Sequence, residues 1–337
     1  MTSFSTSFGE PFGLRFPLIM APMFLVSNRE MMQSALRSGI MGVFPTLNYR
    51  EKGQLAAELD ALSVCKTSGN FSGHVGVNLI VQKTNPFLNE HLAVCIEKRV
   101  PFFITSLGNP APVIQAAETY GAKVYCDVTG MAHAEKCVRE GCHGLVAVGQ
   151  GAGGHAGPHP LSILVPALKR NFPGIPVIAA GGMGNGAGML SAAALGADGF
   201  SVGTAYIASV EASVQMAYKE AIIQSGLEDI VLTERLSGTP CNIINTPYAQ
   251  KIGYKQNSFE RFLSRNKRTR KLFKGWLQYA GMEKLYASVQ PGNHNNLWTA
   301  GKSAELIEEI LPCDAITDKF IREFAEAFQQ VASKLKS

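Results

Sequence analysis

Eight short runs of apolar residues recur along the first two thirds of the chain, each bounded by Gly, Pro or polar residues. The runs are almost continuously apolar and do not alternate with polar positions, which is typical of strands buried on both faces. We therefore predict strands at residues 17–21, 41–44, 74–80, 101–105, 123–128, 144–148, 176–180 and 199–203.

Apolar residues at i, i+3 and i+4 spacing separate these runs and predict helices. Examples lie at residues 29–38, 53–64, 110–120, 131–140, 161–171 and 186–195. Eight strands, each followed by a helix, match the α/β class and the (β/α)8 TIM barrel. A doubly wound sheet that binds a dinucleotide would carry Gly-x-Gly after its first strand, but the chain has Ala21-Pro22-Met23 there. The pattern therefore favours the barrel.

The pattern changes after residue 203. Residues 204–225 read as one long amphipathic helix, 226–247 as irregular, and 258–289 as mostly helical; helices at 303–310 and 317–335 return to the barrel wall. We predict a barrel domain formed by residues 1–223 and 301–337. Residues 224–300 form a small, mainly helical insertion near the C-terminal end, able to cap the C-terminal mouth of the barrel.

Composition narrows the class of protein. The chain has 337 residues, 46% hydrophobic and 17% charged, with a net charge of +5, which suits a large and well-buried globular enzyme. The basic run at 261–274 carries no recognition motif, so we read it as a solvated helix face and expect no nucleic-acid partner.

Cysteine spacing and hydropathy bear on location. The seven cysteines include no Cys-x-x-Cys pair, so we expect neither a metal site nor a disulfide framework, but reduced thiols in a cytoplasmic protein. No uncharged stretch reaches membrane-spanning length and no signal peptide is evident, so we expect no membrane association. Oligomeric state does not follow from the sequence.

The most informative segment is the glycine-rich run at 149–157, directly after the sixth apolar run. Glycines add no buried side-chain surface, and their use is the close approach of something flat or phosphorylated to bare backbone. His155 is the titratable group within this segment. A flexible loop is the alternative interpretation. We predict an active site with His155 as the catalytic residue.

Further glycines follow the seventh and eighth apolar runs, at 181–186 and at Gly203-Thr204. In TIM barrels these loops commonly hold a phosphate, since their backbone N–H groups stand at helix N-termini. Asn78, near the end of the third run, has an amide that both donates and accepts toward a heterocycle edge. Together they suit a mononucleotide with a planar ring, and flavin fits better than NAD. Met23 and Met183 are expected to flank the flavin.

Several motifs occur in the order found in one family. They are Ala21-Pro22-Met23, Gly76-Val77-Asn78-Leu79, Ala152-Gly153-Gly154-His155-x-Gly157, Ala179-Ala180-Gly181-Gly182 and Val202-Gly203-Thr204, with further similarity at Leu236-Ser237-Gly238-Thr239-Pro240 and Trp298-Thr299-Ala300-Gly301. On these residues the chain resembles the FMN-dependent nitronate monooxygenases, formerly 2-nitropropane dioxygenases. The same motifs mark the related flavin-containing enoyl-acyl-carrier-protein reductases.

The resemblance implies a TIM barrel that holds FMN, with His155 beside the substrate and the flavin. The cofactor-binding residues that we predict are Ala21, Pro22, Met23, Asn78, Asp127, Gly153, Gly154, Gly181, Gly182, Met183, Gly184, Gly203 and Thr204. Two positions differ from many relatives, which have an acidic residue in place of Gly151 and a lysine in place of Asp127. A carboxylate in place of a cation disfavours an anionic reduced flavin.

The resemblance implies oxidation of small alkyl nitronates, and of nitroalkanes, by O2 to carbonyl compounds and nitrite. With an unperturbed pKa near ~6.5, His155 is suited to remove the α-proton of a nitroalkane. Two alternatives stay open: an NAD(P)H-dependent enoyl reductase, and a non-catalytic barrel that binds flavin or a phosphorylated metabolite. A nicotinamide requirement distinguishes the reductase from the monooxygenase.

Overall fold

Eight parallel strands close into a barrel in the computed structural model, which describes residues 4–235, 239–255 and 296–334. The barrel strands are β1 Leu18–Met20, β2 Met41–Pro45, β3 His74–Ile80, β4 Phe102–Ser106, β5 Lys123–Val128, β6 Gly144–Val148, β8 Val177–Ala180 and β9 Gly199–Val202. The short strand β7, Gly154–His155, lies outside the barrel, and pairing of β9 with β1 closes the ring. All eight predicted barrel strands are confirmed.

Helices alternate with the barrel strands, which confirms the (β/α)8 class. In chain order the helices are α1 Arg29–Ser38, α2 Gln54–Gly69, α3 Leu88–Glu97, α4 Ala111–Glu118, α5 Met131–Arg139, α6 Leu161–Asn171, α7 Gly186–Ala194, α8 Thr204–Ile207, α9 Met216–Gln224, α10 Pro247–Ile252 and α11 Cys313–Lys334. Among the described residues, none of the helices is both long and apolar enough to cross a membrane.

Two apolar layers hold the barrel together. The inner layer contains side chains such as Ile19, Phe102 and Ile178, and Phe8 from the N-terminal segment packs against the rings of Phe102 and Tyr125 at centroid distances of 5.7 and 5.6 Å. The larger outer layer lies between the strands and the surrounding helices. The continuously apolar strands therefore bury both faces, as their sequences predicted.

The predicted helix at 204–225 is wrong, because the chain forms α8 and α9 with a break between them. At the break, Ser209 pairs with Leu311 in a parallel β-bridge, and the Val210 N–H donates to the Leu311 carbonyl at 3.0 Å. This contact with a distant segment competes with the local helical hydrogen bonds. The predicted helix at 303–310 is also replaced, by a 3₁₀ turn at Lys302–Leu306, and α11 begins before residue 317.

The segment predicted as irregular at 226–247 contains two strands, β10 Ile230–Thr233 and β11 Cys241–Ile244. They pair antiparallel and, with β7, form a three-stranded sheet of order β10-β11-β7. Both strands are short runs rich in β-branched residues, which favour extended backbone. The predicted helical residues 258–289 and the basic run 261–274 lie outside the described residues, and the domain boundaries at 224 and 300 stay predictions.

The start of α7 is fixed by α11. A Cβ on Gly186 would lie 2.1 Å from the Phe324 nitrogen, so the two helices touch at a position where only glycine fits. The Glu323 carboxylate accepts from the Gly186 N–H at 2.9 Å, and the Asn185 side chain caps α7 by accepting from Gly188 N–H. These contacts hold the glycine turn that leads from β8 into α7.

We predict that Gly186→Ala lowers the free energy of unfolding by ~1–3 kcal/mol, because the added methyl group forces α11 away from α7. At an ordinary helix position, replacing glycine by alanine raises the free energy of unfolding. A decrease in Gly186→Ala would therefore indicate the contact with α11. Gly188→Ala in the same helix is the control, since its Cβ would be 3.3 Å from the nearest atom. Urea unfolding of both variants checks the prediction, and equal stability of the two would contradict it.

Candidate active site

Three backbone segments meet at the C-terminal mouth of the barrel. The glycine loop, residues 149–157, packs on the turn after β8: a Cβ on Gly151 would lie 2.9 Å from the Gly182 Cα, and one on Gly181 would lie 2.5 Å from the Ala152 Cα. A Cβ on Gly301 would be 2.5 Å from the Gly151 carbonyl oxygen. The glycines therefore let one backbone segment pack directly on another, and this packing brings the loops after β6 and β8 together.

The glycines of the site divide into two groups. Side-chain space at Gly153 and Gly184 is filled by backbone, since a Cβ there would lie 2.8 Å from the Gly301 nitrogen and 2.7 Å from the Ser303 carbonyl oxygen. Among the described residues, a Cβ on Gly154 would meet no atom within 4 Å, and one on Gly182 would meet only the Gly151 Cα, at 3.7 Å. Gly154 and Gly182 therefore keep open space beside the backbone, while Gly153 and Gly184 serve packing.

His155 lies on the glycine loop within β7. The strand pairs antiparallel with β11, with Cys241 opposite His155 and Asn242 opposite Gly154. The His155 residue is exposed to solvent, but the surrounding protein removes part of the hydration of its imidazole, and this desolvation lowers its pKa below the ordinary value. A neutral imidazole at pH 7 is able to accept a proton.

Backbone N–H groups gather on the side of the mouth formed by β8 and β9. Within the described part of the chain, the N–H groups of Gly182, Gly203 and Thr204 donate to no protein acceptor. The Thr204 hydroxyl accepts from the Gly301 N–H at 3.0 Å. Because Glu323 already occupies the Gly186 N–H at the start of α7, the donors available to an anion include those of Gly182 and of the loop after β9.

The loop after β1 closes the same side of the mouth. The Ala21 N–H donates to the Val202 carbonyl at 2.9 Å, and the Met23 N–H donates to the Ser27 hydroxyl at 3.0 Å. A Cβ on Gly203 would be 3.5 Å from the Met23 sulfur. Ala21, Met23 and Gly203 are thus neighbours; Pro22 is half-buried between Ala21 and Met23, and Met183 is buried in the turn after β8.

A chain of polar side chains crosses the ends of β3, β4 and β5. Asn78 donates one amide hydrogen to the Ile104 carbonyl at 3.1 Å and the other to the Ser106 hydroxyl at 2.8 Å. Ser106 then donates its hydroxyl hydrogen to Asp127. Both donors of Asn78 are used, so it presents only its carbonyl oxygen as an acceptor. The role of Asn78 as a donor toward a ligand stays a prediction.

Ser106 was missed from sequence, although it is the polar last residue of an otherwise apolar strand. Its partner Asp127 forms no ion pair with any described Lys or Arg. Burial raises the pKa of the Asp127 carboxyl to about 6, and the hydrogen bond from Ser106 opposes part of this rise. The β3–β5 side of the mouth therefore presents acceptors, in contrast to the β8–β9 side.

The fold is a parallel (β/α)8 TIM barrel, and the loops at its C-terminal mouth carry glycines, backbone N–H groups and a histidine, as in barrels whose active site lies at this end. The nitronate monooxygenase family model matches residues 53–323. The chain belongs to the nitronate monooxygenase family and is a flavin-dependent oxidoreductase.

The individual relatives share only about a quarter of their residues with this chain. FabK from Thermotoga maritima superposes with a TM-score of 0.82 at 27% identity, covering 99% of this chain and 100% of FabK. A probable nitronate monooxygenase from Staphylococcus aureus is 26% identical, over 71% of this chain and 67% of the relative. The (3aS,4S,5R,7aS)-5-hydroxy-7a-methyl-1-oxo-octahydro-1H-indene-4-carboxyl-CoA dehydrogenase of Mycobacterium tuberculosis is 26% identical, over 73% of this chain and 68% of the relative.

We predict that Asp127→Asn stabilises the protein at pH 7.5 but not at pH 4. The folded carboxyl has a raised pKa of about 6 against an ordinary 3.8, so the wild type loses stability as the pH rises between these values. Asparagine cannot ionise and still accepts from Ser106, so the gain is ~1–2 kcal/mol above pH 6. Urea unfolding at both pH values checks this, with the exposed Asp60→Asn as control. An equal gain at both pH values would contradict it.

Proposed function

We propose that this protein binds FMN and oxidises alkyl nitronates, and nitroalkanes after their deprotonation, with O2 to carbonyl compounds and nitrite. The observation that carries the proposal is His155, a neutral imidazole on a glycine loop at the mouth of a flavoenzyme barrel. Membership of the nitronate monooxygenase family and the 26% identity with the Staphylococcus aureus relative support it.

The donor and acceptor sets fit FMN. The N–H groups of Gly182, Gly203 and Thr204, which donate to none of the described residues, suit a phosphate. The acceptor oxygens of Asn78 and Asp127 suit an N–H group on a ring edge. The β8–β9 and β3–β5 sides are separated around the ring of strands, as an elongated ligand with an anionic end requires. When bound, FMN supplies the electron transfer from substrate to O2.

Proton transfer is the part of the reaction assigned to the protein. A nitronate is already deprotonated, so it needs no base. For a nitroalkane, the α-carbon proton moves to the neutral ring nitrogen of His155, leaving the nitronate and an imidazolium ion that later returns the proton to water. The transient imidazolium also stabilises the negative nitro oxygens.

A second candidate function, a redox reaction on a thioester substrate, is supported by the similarity to the indene-carboxyl-CoA dehydrogenase of Mycobacterium tuberculosis. A thioester carbonyl acidifies its α-carbon as a nitro group does, so the same histidine suits either substrate class. An enoyl-acyl-carrier-protein reductase would require NADH or NADPH, whereas the monooxygenase reaction requires only O2. A barrel that binds flavin without catalysis would show neither reaction.

We predict that His155→Ala retains FMN but loses turnover of a neutral nitroalkane by about 10²–10⁴-fold, because the base is removed. In the wild type, the acid limb of the rate should lie below pH 6.5, since the pKa of His155 is lowered. Oxygen uptake by the yellow protein with nitroalkane or nitronate, without nicotinamide, measures both effects. His159→Ala, two residues beyond the glycine loop, is the control.

Normal turnover in His155→Ala would remove this residue from the mechanism. Absence of oxygen uptake by the wild type, with NADH or NADPH oxidised only when an enoyl thioester is present, would move the protein to the reductase class.

We predict that Gly182→Leu weakens FMN binding by at least ~10-fold, or about 1.4 kcal/mol, because the side chain would enter the space next to the proposed phosphate donors. Gly174→Leu is the matched control: both glycines have a left-handed backbone, with φ of +81° and +85°, but Gly174 lies before β8 at the opposite end of the barrel. Titration of apoprotein with FMN, followed by flavin fluorescence, checks this. Equal affinity of the two variants would refute the phosphate site.

A further inference from the structure

A buried asparagine outside the barrel holds the glycine loop. Asn242 on β11 is 4% exposed, and its side-chain nitrogen donates to the Gln150 carbonyl at 2.9 Å and to the Ala152 carbonyl at 2.8 Å. Both acceptors are backbone atoms of the glycine loop. One amide group therefore satisfies two carbonyl oxygens in the stretch that leads to His155.

The pairing of β11 with β7 extends this grip beyond Asn242. Gly154 lies opposite Asn242, His155 lies opposite Cys241, and the Ala156 N–H donates to the Pro240 carbonyl at 3.3 Å. The loop is thus held before, at and after the histidine by one segment of chain. Side-chain bonds act at Gln150 and Ala152, and the backbone ladder acts from Gly154 onward.

The chemistry of the contact selects an amide. Each of the two loop carbonyls needs a donor, and a buried carbonyl left without one costs about 1–3 kcal/mol. A primary amide has two hydrogens on one neutral nitrogen, whereas a carboxylate would repel both oxygens and an ammonium would bring an unpaired charge into a buried place. Asparagine at 242 matches the two carbonyls in number and in charge.

The β11 strand is itself anchored to the third segment of the mouth. The Ile244 N–H donates to the Trp298 carbonyl at 2.8 Å, and Ile243 forms an antiparallel bridge with Thr299. Two residues further on, Gly301 packs on the backbone of Gly151. The glycine loop therefore lies between β11 and the segment at 299–301, and these two are joined to each other.

We propose that Asn242 is a positioning residue of the active site, which sets the place and orientation of His155 without touching the substrate. Its effect on turnover rests on the proposed role of His155, but its effect on the order of the loop does not. In this proposal the barrel strands position the site, and β11 holds the glycine loop in one conformation.

The test compares Asn242→Leu with Asn245→Leu. Both variants replace an asparagine in or next to β11 by leucine, which has a similar volume but no amide. The Asn245 side chain accepts from the Tyr254 hydroxyl and makes no bond to the glycine loop. In Asn242→Leu we expect amide hydrogen exchange at 152–156 to accelerate about tenfold or more, because two hydrogen bonds are lost. The pKa of His155 measured by NMR should move up toward 6.5 as the loop opens to water.

Turnover supplies the functional readout. We expect kcat with a nitroalkane to fall about tenfold or more in Asn242→Leu with a smaller change in KM, and with nitronate to fall less, because a nitronate needs no base. Asn245→Leu should match the wild type in loop exchange, His155 titration and kcat. If Asn242→Leu does not fold, the isosteric Asn242→Asp replaces it.

Unchanged exchange at 152–156 in a folded Asn242 variant would overturn the proposal, and so would faster exchange with an unchanged His155 pKa and unchanged kcat. A wild type without activity on nitro compounds would instead refute the proposed function, and loop exchange with the His155 titration would still decide the role of Asn242.

Discussion

Backbone-to-backbone contact between the loop after β6 and the turn after β8 is the constraint on which the site depends. A Cβ on Gly181 would lie 2.5 Å from the Ala152 Cα, so no residue with a side chain allows this approach without moving one of the loops. Gly301 adds a third backbone at the same place. The contact brings together His155 on one loop and the N–H groups of Gly182 on the other. This packing therefore brings the proposed anion site close to the proposed base. The barrel strands direct the two loops toward each other.

The mouth is polarised across its width. On the β8–β9 side, N–H groups without protein acceptors among the described residues favour an anion, while on the β3–β5 side the Asn78–Ser106–Asp127 chain presents oxygen acceptors. The hydrogen bonds in this set of side chains all run from Asn78 toward Asp127. Both amide hydrogens of Asn78 are used, and Ser106 gives its single hydrogen to Asp127. A ligand that satisfies both sides has a negative end and an N–H edge. This is the combination that a flavin mononucleotide carries, and the carboxylate where many relatives have a lysine makes that edge of the mouth acceptor-rich.

The barrel could be predicted from sequence because parallel strands buried on both faces leave a local and nearly continuous apolar signal. The parts that were missed depend on partners far away in the chain. The helix predicted at 204–225 breaks because the Val210 N–H donates to the Leu311 carbonyl. Strand β11 forms by pairing with β7, the two-residue strand that contains His155. Asn242 bonds to carbonyls about ninety positions earlier, and nothing in its own neighbourhood marks it. Glycine spacing marked the loop that we propose as catalytic, but only the fold separates glycines that pack on backbone, such as Gly153, from glycines with open space, such as Gly154.

The same glycines that permit the close contact also remove the means by which a loop usually orders itself. A glycine has no side chain to pack and loses more conformational freedom on folding than any other residue. A loop with this composition therefore needs its order supplied from outside, through hydrogen bonds to its carbonyls and through strand pairing. In this protein both come from the chain that follows the barrel, through Asn242 and the β11–β7 ladder. His155, the proposed catalytic residue, consequently depends on residues that lie outside the barrel, and changes in that outer strand are expected to alter reactivity while the barrel itself stays the same.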